Sequence, residues 1–159
     1  MDRAAPAVVL QNFGEDFLLD PVPSAGIRLP AGDGKEAFVD AEDIAEVAVA
    51  ALTEARHAGW HYELGGPRLM TFGDAGAEIA RATGRDLGYV PLTPEAYMDE
   101  QRARGVPEEW GLLSAGLYGR VRSGGLASPG DCVRRAPGRY PRDFSEYADT
   151  AARQGIWSG

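Results

Sequence analysis

The sequence contains few of the residues on which the simplest functional assignments depend. Cys132 is the only cysteine among 159 residues, so an intrachain disulfide is excluded and a cysteine-based metal site is not expected. His57 and His61 are the only histidines, and no third ligand lies near them in the sequence, so no metal site is predicted. The sequence also lacks a P-loop and the Gly-x-Ser-x-Gly motif of serine hydrolases.

Long apolar and long basic runs are absent as well. No stretch approaches the ~20 apolar residues that a membrane-spanning helix requires. The first residues show no basic segment followed by an apolar one, so no signal peptide is predicted. The net charge of −8 argues against nucleic acid and anionic membranes as partners. These features predict a cytoplasmic protein, and the abundance of Ala, Gly and Arg is typical of a bacterial genome rich in G and C.

The length suits one domain with a sizeable core, and we expect residues 1–159 to form it. Residues 38–52 predict a short strand end followed by an amphipathic helix over about 43–56. Asp43 and Glu46 have the spacing of a capping box. An apolar stripe at helical spacing follows, formed by Ile44, Val47, Ala48, Ala51 and Leu52. The small residues of this helix allow a second backbone to approach closely, so we expect it to lie flat against another element.

Turn and cap residues predict the remaining elements. The Asp33-Gly34 pair favours a hairpin of the strands at 27–29 and 36–39. Other short strands are predicted at 7–10, 60–64 and 87–92. Further helices are predicted at 72–82, 94–104, 107–122 and 144–153. The fold class is therefore α/β and rich in helix, with a few short strands and about five helices, but without the run of βα units that makes a complete doubly wound sheet.

The stretch Phe-Val-Asp-x-x-Asp-Ile-Ala at 38–45, followed by an Ala/Val-rich helix, resembles the middle of NmrA-like proteins. These are atypical members of the short-chain dehydrogenase/reductase superfamily. The order and spacing of further segments are similar to that family, at 6–13, 27–34, 62–67, 83–85 and 137–141. The resemblance implies the C-terminal, substrate-side half of a Rossmann-like fold. Because the family's Gly-x-x-Gly-x-x-Gly loop and the superfamily's Tyr-x-x-x-Lys pair are missing, we expect the chain to bind no cofactor by itself.

The resemblance implies that Gln11, Asn12 and Phe13 lie beside the nicotinamide and the substrate, where a polar pair can orient a small ligand. The alternative is structural, with Asn12 capping a strand-to-helix junction through backbone N–H groups. Asp16 is the predicted catalytic group, because a carboxylate desolvated by aromatic neighbours has a raised pKa and can act as acid or base. For the neighbouring Glu15, an exposed acidic loop is the better interpretation.

The predicted pocket lies between the turn at 11–17 and the helix that carries residues 110–118. Phe17, Trp110 and Tyr118 are the candidates for its substrate-binding walls, because the last two combine an apolar body with a polar group. Aromatic residues at helical spacing equally fit a hydrophobic core, and this is the expected position of Phe38, Leu113 and Leu117.

These features predict a protein that binds a small, largely apolar molecule and carries it, or guides a redox-neutral reaction such as cyclisation, isomerisation or dehydration. Two alternatives remain. In one, the chain is a subunit of a split NAD(P)-dependent oxidoreductase whose partner supplies the Rossmann half. In the other, it is a non-catalytic NmrA-like regulator. The expected protein partner is a second copy in a homodimer or the complementing Rossmann-half chain, because the helix at 43–56 and the strand at 7–10 need covering.

Overall fold

The computed structural model describes residues 8–15, 18, 26–125 and 129–158. Within these ranges lie seven α-helices, four short strands and one 3-10 turn at Ala55–His57. The helices are α1 (Asn12–Glu15), α2 (Ala41–Thr53), α3 (Phe72–Thr83), α4 (Pro94–Ala103), α5 (Glu108–Arg122), α6 (Cys132–Arg135) and α7 (Phe144–Arg153). The strands are β1 (Ile27–Leu29), β2 (Lys35–Glu36), β3 (Met70–Thr71) and β4 (Tyr89–Pro91).

The strands pair in twos, and the predicted hairpin is wrong. β1 runs parallel to β4, with Ile27 opposite Tyr89, and β2 runs antiparallel to β3. A further parallel bridge joins Val9 to Val39. Each pairing therefore joins segments that are distant in the sequence.

The turn after β1 explains why no hairpin forms. The Tyr89 hydroxyl donates to the carbonyl oxygens of Gly32 at 3.0 Å and Leu29 at 3.3 Å, which fastens this turn to β4. Gly34 lies so close to α5 that a Cβ there would overlap the Val121 carbonyl oxygen. The chain leaves the turn along α5 and does not return along β1.

The strand predicted at 60–64 is also wrong, because residues 60–66 have no regular secondary structure. Trp60 is 58 % exposed, and the Arg135 guanidinium lies 4.8 Å from its ring centroid. A cation on the face of the indole holds this side chain at the surface.

The five longer helices α2, α3, α4, α5 and α7 confirm the predicted number, and their ends follow local signals. Thr71 and Asp74 form a reciprocal capping box at the start of α3. This helix ends at Gly84, whose φ of 70° is the left-handed conformation that glycine adopts without cost. Thr93 caps α4 directly before Pro94. The described helices are thus fixed largely by their own capping residues.

The cap of α2 is Asp40, and the prediction of Asp43 for this role is wrong. Asp40 Oδ1 accepts from the backbone N–H two residues on at 2.8 Å. Asp43 is fully buried instead. Its carboxylate accepts from the Arg139 guanidinium at 2.6 Å and from the Arg142 backbone N–H at 2.8 Å, and it also pairs with the Arg142 guanidinium. The residue read as a cap ties α2 to the segment before α7.

An aromatic cluster forms the centre of the main core. The rings of Phe13, Phe38, Phe72 and Phe144 lie 5.2 to 6.0 Å apart, mostly edge to face. A smaller core joins α2 to α6 through Val47, Ala50, Cys132, Val133 and Ala136. Both cores exclude water from helix faces that are apolar in the sequence.

Removal of the buried Asp43 carboxylate is expected to destabilise the chain strongly. Asp43→Ala should lower the free energy of unfolding by about 3 kcal/mol, because two arginines would lose their buried partner. Urea unfolding followed by circular dichroism measures the change. Asp131→Ala is the control, because Asp131 is exposed and pairs with Arg135 only at 3.7 Å. Equal effects of the two substitutions would contradict a dominant role for the buried pair.

Glu36 should make stability fall as pH rises. Its side chain is buried, and burial raises the pKa of its carboxyl from 4.5 to about 7. The unfolded chain releases this proton near pH 4.5, whereas the folded chain keeps it up to about pH 7. The stability that protonated Glu36 contributes is therefore fully present below about pH 4.5 and is lost as pH rises through about 7. Relative to Glu36→Gln, the wild type should lose about 3 kcal/mol of unfolding free energy between about pH 4 and about pH 8.

Urea unfolding across that pH range tests the Glu36 prediction. Glu109→Gln is the control, because Glu109 is an exposed residue at the start of α5. A parallel pH dependence of the wild type and Glu36→Gln would show that Glu36 ionises normally.

Candidate functional site

An apolar groove of about 870 Å³ runs along α4, α5 and β1. The two helices approach closely where Gly111 of α5, which has no side chain, faces Met98 of α4. A Cβ at Gly111 would lie only 3.1 Å from the Met98 sulfur. The groove is lined by the apolar residues Leu29, Tyr97, Val106, Trp110, Leu112, Leu113 and Leu117, by Gly116, and by the polar residues Arg28, Gln101, Arg104, Ser114 and Arg120. This size and character are typical of sites for small organic molecules.

Helix α5 has two apolar faces, of which only one packs into the core. Gly111, Tyr118 and Val121 are buried, whereas Trp110 and Leu113 are 59 % and 66 % exposed along the groove. The core position expected for Leu113 is therefore wrong. Trp110 lies on the groove wall, where its contact with a ligand stays a prediction.

Two polar contacts shape the groove. Tyr97 is buried and hydrogen-bonded to Ser114, and burial is the main reason that the pKa of its phenol is raised, so the hydroxyl stays neutral. Arg28 binds Glu100 through two nitrogens, with Nη2 at 2.6 Å and Nε at 3.1 Å from Oε1. The hydrogen bond from Arg28 is the main cause that lowers the pKa of Glu100. Arg28 is thus neutralised within the chain.

Gln11 lies at a separate and smaller depression of about 400 Å³, which it shares with α2 and α7. Its amide nitrogen donates to Asp40 Oδ2 at 3.2 Å, and its amide oxygen accepts from the Ala41 backbone N–H at 3.0 Å. Gln11 therefore binds the start of α2. Asn12 is the half-buried first residue of α1, and its predicted roles, at a ligand or as a cap of its own junction, stay predictions.

The structure corrects the predicted pocket. Phe13 is fully buried in the aromatic cluster, and Tyr118 is 1 % exposed in the same core, so neither side chain forms a wall of the groove. Gln11 and Trp110 line different depressions. Asp16 and Phe17 lie outside the described residues, and their roles stay predictions.

The sequence analysis missed most of the groove residues. Leu29 was assigned to a hairpin, and Tyr97, Gln101 and Arg104 received no role. A signal was available: Tyr97 and Gln101 are four residues apart on α4, next to Arg104, and so share one helix face.

The N-termini of the long described helices do not fit a pyrophosphate. A pyrophosphate is normally bound by free N–H groups at a helix N-terminus. Here each helix of ten or more residues has an acid as its cap or in its first turn: Asp40 for α2, Asp74 for α3, Glu95 for α4, Glu108 and Glu109 for α5, and Asp143 for α7. A hydrogen bond from Arg68 is the main cause that lowers the pKa of Asp143 to about 2. These carboxylates repel a second anion.

The described ranges contain neither a metal-binding cluster nor a membrane-spanning helix. No group of three or more His, Cys, Asp or Glu residues there could hold a metal ion. No helix there is long and apolar enough to cross a membrane. His57 is buried, and its Nδ1 lies 2.5 Å from the Tyr62 hydroxyl, which gives this histidine a structural partner.

Comparison with known proteins relates the chain to reductases. No protein-family model matches it. The chain is 31 % identical over 154 residues to the uncharacterized oxidoreductase YesF of Bacillus subtilis strain 168, covering 96 % of the chain and 53 % of YesF. It is 35 % identical over 124 residues to the NAD(P)H azoreductase of Xenophilus azovorans, covering 78 % of the chain and 43 % of that enzyme. The chain therefore spans about half the length of the curated relatives that it matches.

A solved structure shows the same fold. The triphenylmethane reductase of Citrobacter sp. superposes with a TM-score of 0.82 at 22 % identity, over 94 % of this chain and 52 % of that one. The likeness confirms the helix-rich α/β fold class and its match to part of a reductase fold. The two relatives described above are oxidoreductases by name, so the relation to NAD(P)H-dependent reductases that the resemblance implied is confirmed at this coarser level.

The chain of 159 residues, studied alone, is expected to bind neither NADH nor NADPH with micromolar affinity. The reason is the acid at the start of each long described helix, together with the absence of a glycine-rich phosphate loop from the sequence. Isothermal titration calorimetry measures the affinity directly. Saturable binding at micromolar concentrations would show that a nucleotide site lies in this chain.

Proposed function

We propose that the chain is the substrate-side half of an NAD(P)H-dependent reductase of the NmrA-like class. The groove along α4 and α5 holds the substrate, and a separate nucleotide-binding half holds the dinucleotide. This was the alternative to a redox-neutral, cofactor-independent enzyme. The relatives favour it, because their names describe oxidoreductases that match the chain over most of its length.

The α4–α5 groove is the observation that carries this proposal. It offers about 870 Å³ of largely apolar space on two helices that are anchored in the core. The described helix starts offer no matching site for a pyrophosphate. A substrate site without a pyrophosphate site is what one half of such a reductase supplies.

The outer face of α2 is the surface that we assign to the nucleotide-binding half. The inner face of α2 is buried through Asp43, Val47 and Ala50. The outer face carries a second apolar stripe at helical spacing, formed by Ala45, Ala48, Val49 and Leu52. Val49 and Leu52 are 60 % and 87 % exposed.

The comparisons support the nucleotide-binding half as the occupant of this stripe. A chain that matches about half of each relative leaves the other half of a reductase as the natural partner. Its alanines allow another backbone to approach closely. In the absence of that half, a second copy of the chain covers the stripe, which is the homodimer expected from the sequence.

A chimera tests the proposed function. In the NAD(P)H azoreductase, the segment that aligns with this chain is replaced by the chain itself. The chimera should bind NADPH and oxidise it in the presence of an aromatic azo or quinone acceptor, tested both with and without an acid group, because the two halves then complete one active site. A chimera that folds and binds NADPH but consumes none with any acceptor would contradict a reductase and favour the regulator alternative.

Paired variants of the chimera test the α2 surface. Leu52→Asp should abolish NADPH consumption, because a charge would enter the interface between the halves. Ala77→Asp is the control, since Ala77 is exposed on α3, away from the stripe. Equal activity of the two variants would remove α2 from the interface.

The cytoplasmic location and bacterial origin stay predictions from the sequence.

A further inference from the structure

The α4–α5 groove has an unusual charge for this chain. The whole sequence contains 24 Asp and Glu residues against 16 Lys and Arg residues. The residues that line the groove nevertheless include three arginines and no acid. The groove is therefore a positive site on a protein of net charge −8, and such a site attracts anions.

Two of the three arginines have no ion-pair partner in the part of the chain that the structure describes. Arg28 is bound to Glu100 through its bidentate contact. Arg104 and Arg120 form no ion pair within 4.0 Å with any residue in the described ranges. Two neighbouring arginines do form ion pairs: Arg28 pairs with Glu100, and Arg102 pairs with Asp99 and Glu108. The charge of Arg104 contributes to the low pKa of Glu100, but the hydrogen bond from Arg28 is the larger cause.

The helix dipole explains why basic residues occupy these helix ends, but it does not explain why Arg104 and Arg120 line the groove. Arg104 is the C-cap of α4 and Arg120 lies in the last turn of α5, where a positive charge is favourable. Arg102 and Arg122 lie at the same two helix ends, yet neither lines the groove. Of these four arginines, only Arg104 and Arg120 line the groove beside its apolar walls.

The apolar walls define the rest of the ligand. Trp110 and Leu113 expose more than half of their surface to the groove side of α5. An indole face binds flat apolar groups by stacking. Tyr97 adds a neutral hydroxyl held by Ser114.

We propose that this groove binds an amphipathic organic anion. Its flat apolar part lies against Trp110 and Leu113, and its acid group, a carboxylate, sulfonate or phosphate, is held by Arg104 at the end of the groove where α4 passes into α5. Arg120, in the last turn of α5, adds positive charge at the other end of the groove. The inference rests on the proposed function only in making this anion the substrate to be reduced. The binding itself requires neither a dinucleotide nor a second half.

Two dyes with the same aromatic skeleton test the charge preference. 1-Anilinonaphthalene-8-sulfonate carries an acid group, and N-phenyl-1-naphthylamine lacks it. Fluorescence titration of the folded chain should show tighter binding of the sulfonate. Arg104→Gln combined with Arg120→Gln should weaken sulfonate binding about tenfold or more, because charge-assisted hydrogen bonds are lost. The affinity for the neutral dye should stay unchanged.

The control removes the same two charges from the same helix ends. Arg102→Gln combined with Arg122→Gln should leave both affinities unchanged. Trp110→Ala should weaken both dyes together, and since Trp110 is 59 % exposed, this variant keeps the fold. Circular dichroism confirms that each variant is folded.

Three results would overturn the proposal. They are equal affinity for the two dyes, equal weakening of sulfonate binding by the two arginine pairs, and the lack of any effect of Trp110→Ala. The outcome is independent of the chimera. A reductase with no anion preference refutes this inference alone, and anion binding without NADPH consumption in the chimera refutes the proposed function alone.

Discussion

The packing of four phenylalanines holds together four segments that are distant from one another in the sequence. Each ring comes from a different part of the chain: Phe13 from α1, Phe38 from the segment before α2, Phe72 from α3 and Phe144 from α7. Edge-to-face contacts fix the orientation of each ring as well as its burial. The same edge-to-face packing continues outward. The ring centroid of Tyr118 lies 5.7 Å from that of Phe72, and the ring centroid of Tyr97 lies 5.8 Å from that of Tyr118. Tyr97 lines the groove, so the position of the groove wall depends on the core.

Local signals in the sequence predicted the helices well, and distant pairings were not predictable from them. Thr71, Thr93, Gly84 and Asp143 act within one helical turn, so their spacing alone fixes where helices start or stop. The partner of β1 is β4, about 60 residues away, and no local pattern in the sequence records this pairing. The Asp-Gly turn signal was present, but tertiary packing overrode it.

The candidate site shows the same division. Trp110 was predicted as a pocket wall because its indole combines an apolar body with a polar group, and the structure places it on the groove. Phe13 and Tyr118 have the same chemical character, and only their burial distinguishes them as core. Arg104 and Arg120 resemble ordinary helix-end charges, and their role depends on two helices meeting in space. Sequence spacing places a residue on a helix face, but which face meets a cavity is decided by the packing of the whole chain.

Helix α2 contributes both to the stability of the chain and to the interface that we propose. Asp43 on its inner face is fully buried between two arginines, an arrangement that costs desolvation and is favourable only while both partners stay in place. This contact holds α2 against the segment before α7 in one fixed orientation. The orientation in turn presents Ala45, Val49 and Leu52 as one apolar stripe. A helix that is apolar on two faces is normally buried on both, so the ion pair that fixes the inner face leaves the outer face available for the nucleotide-binding half that we propose.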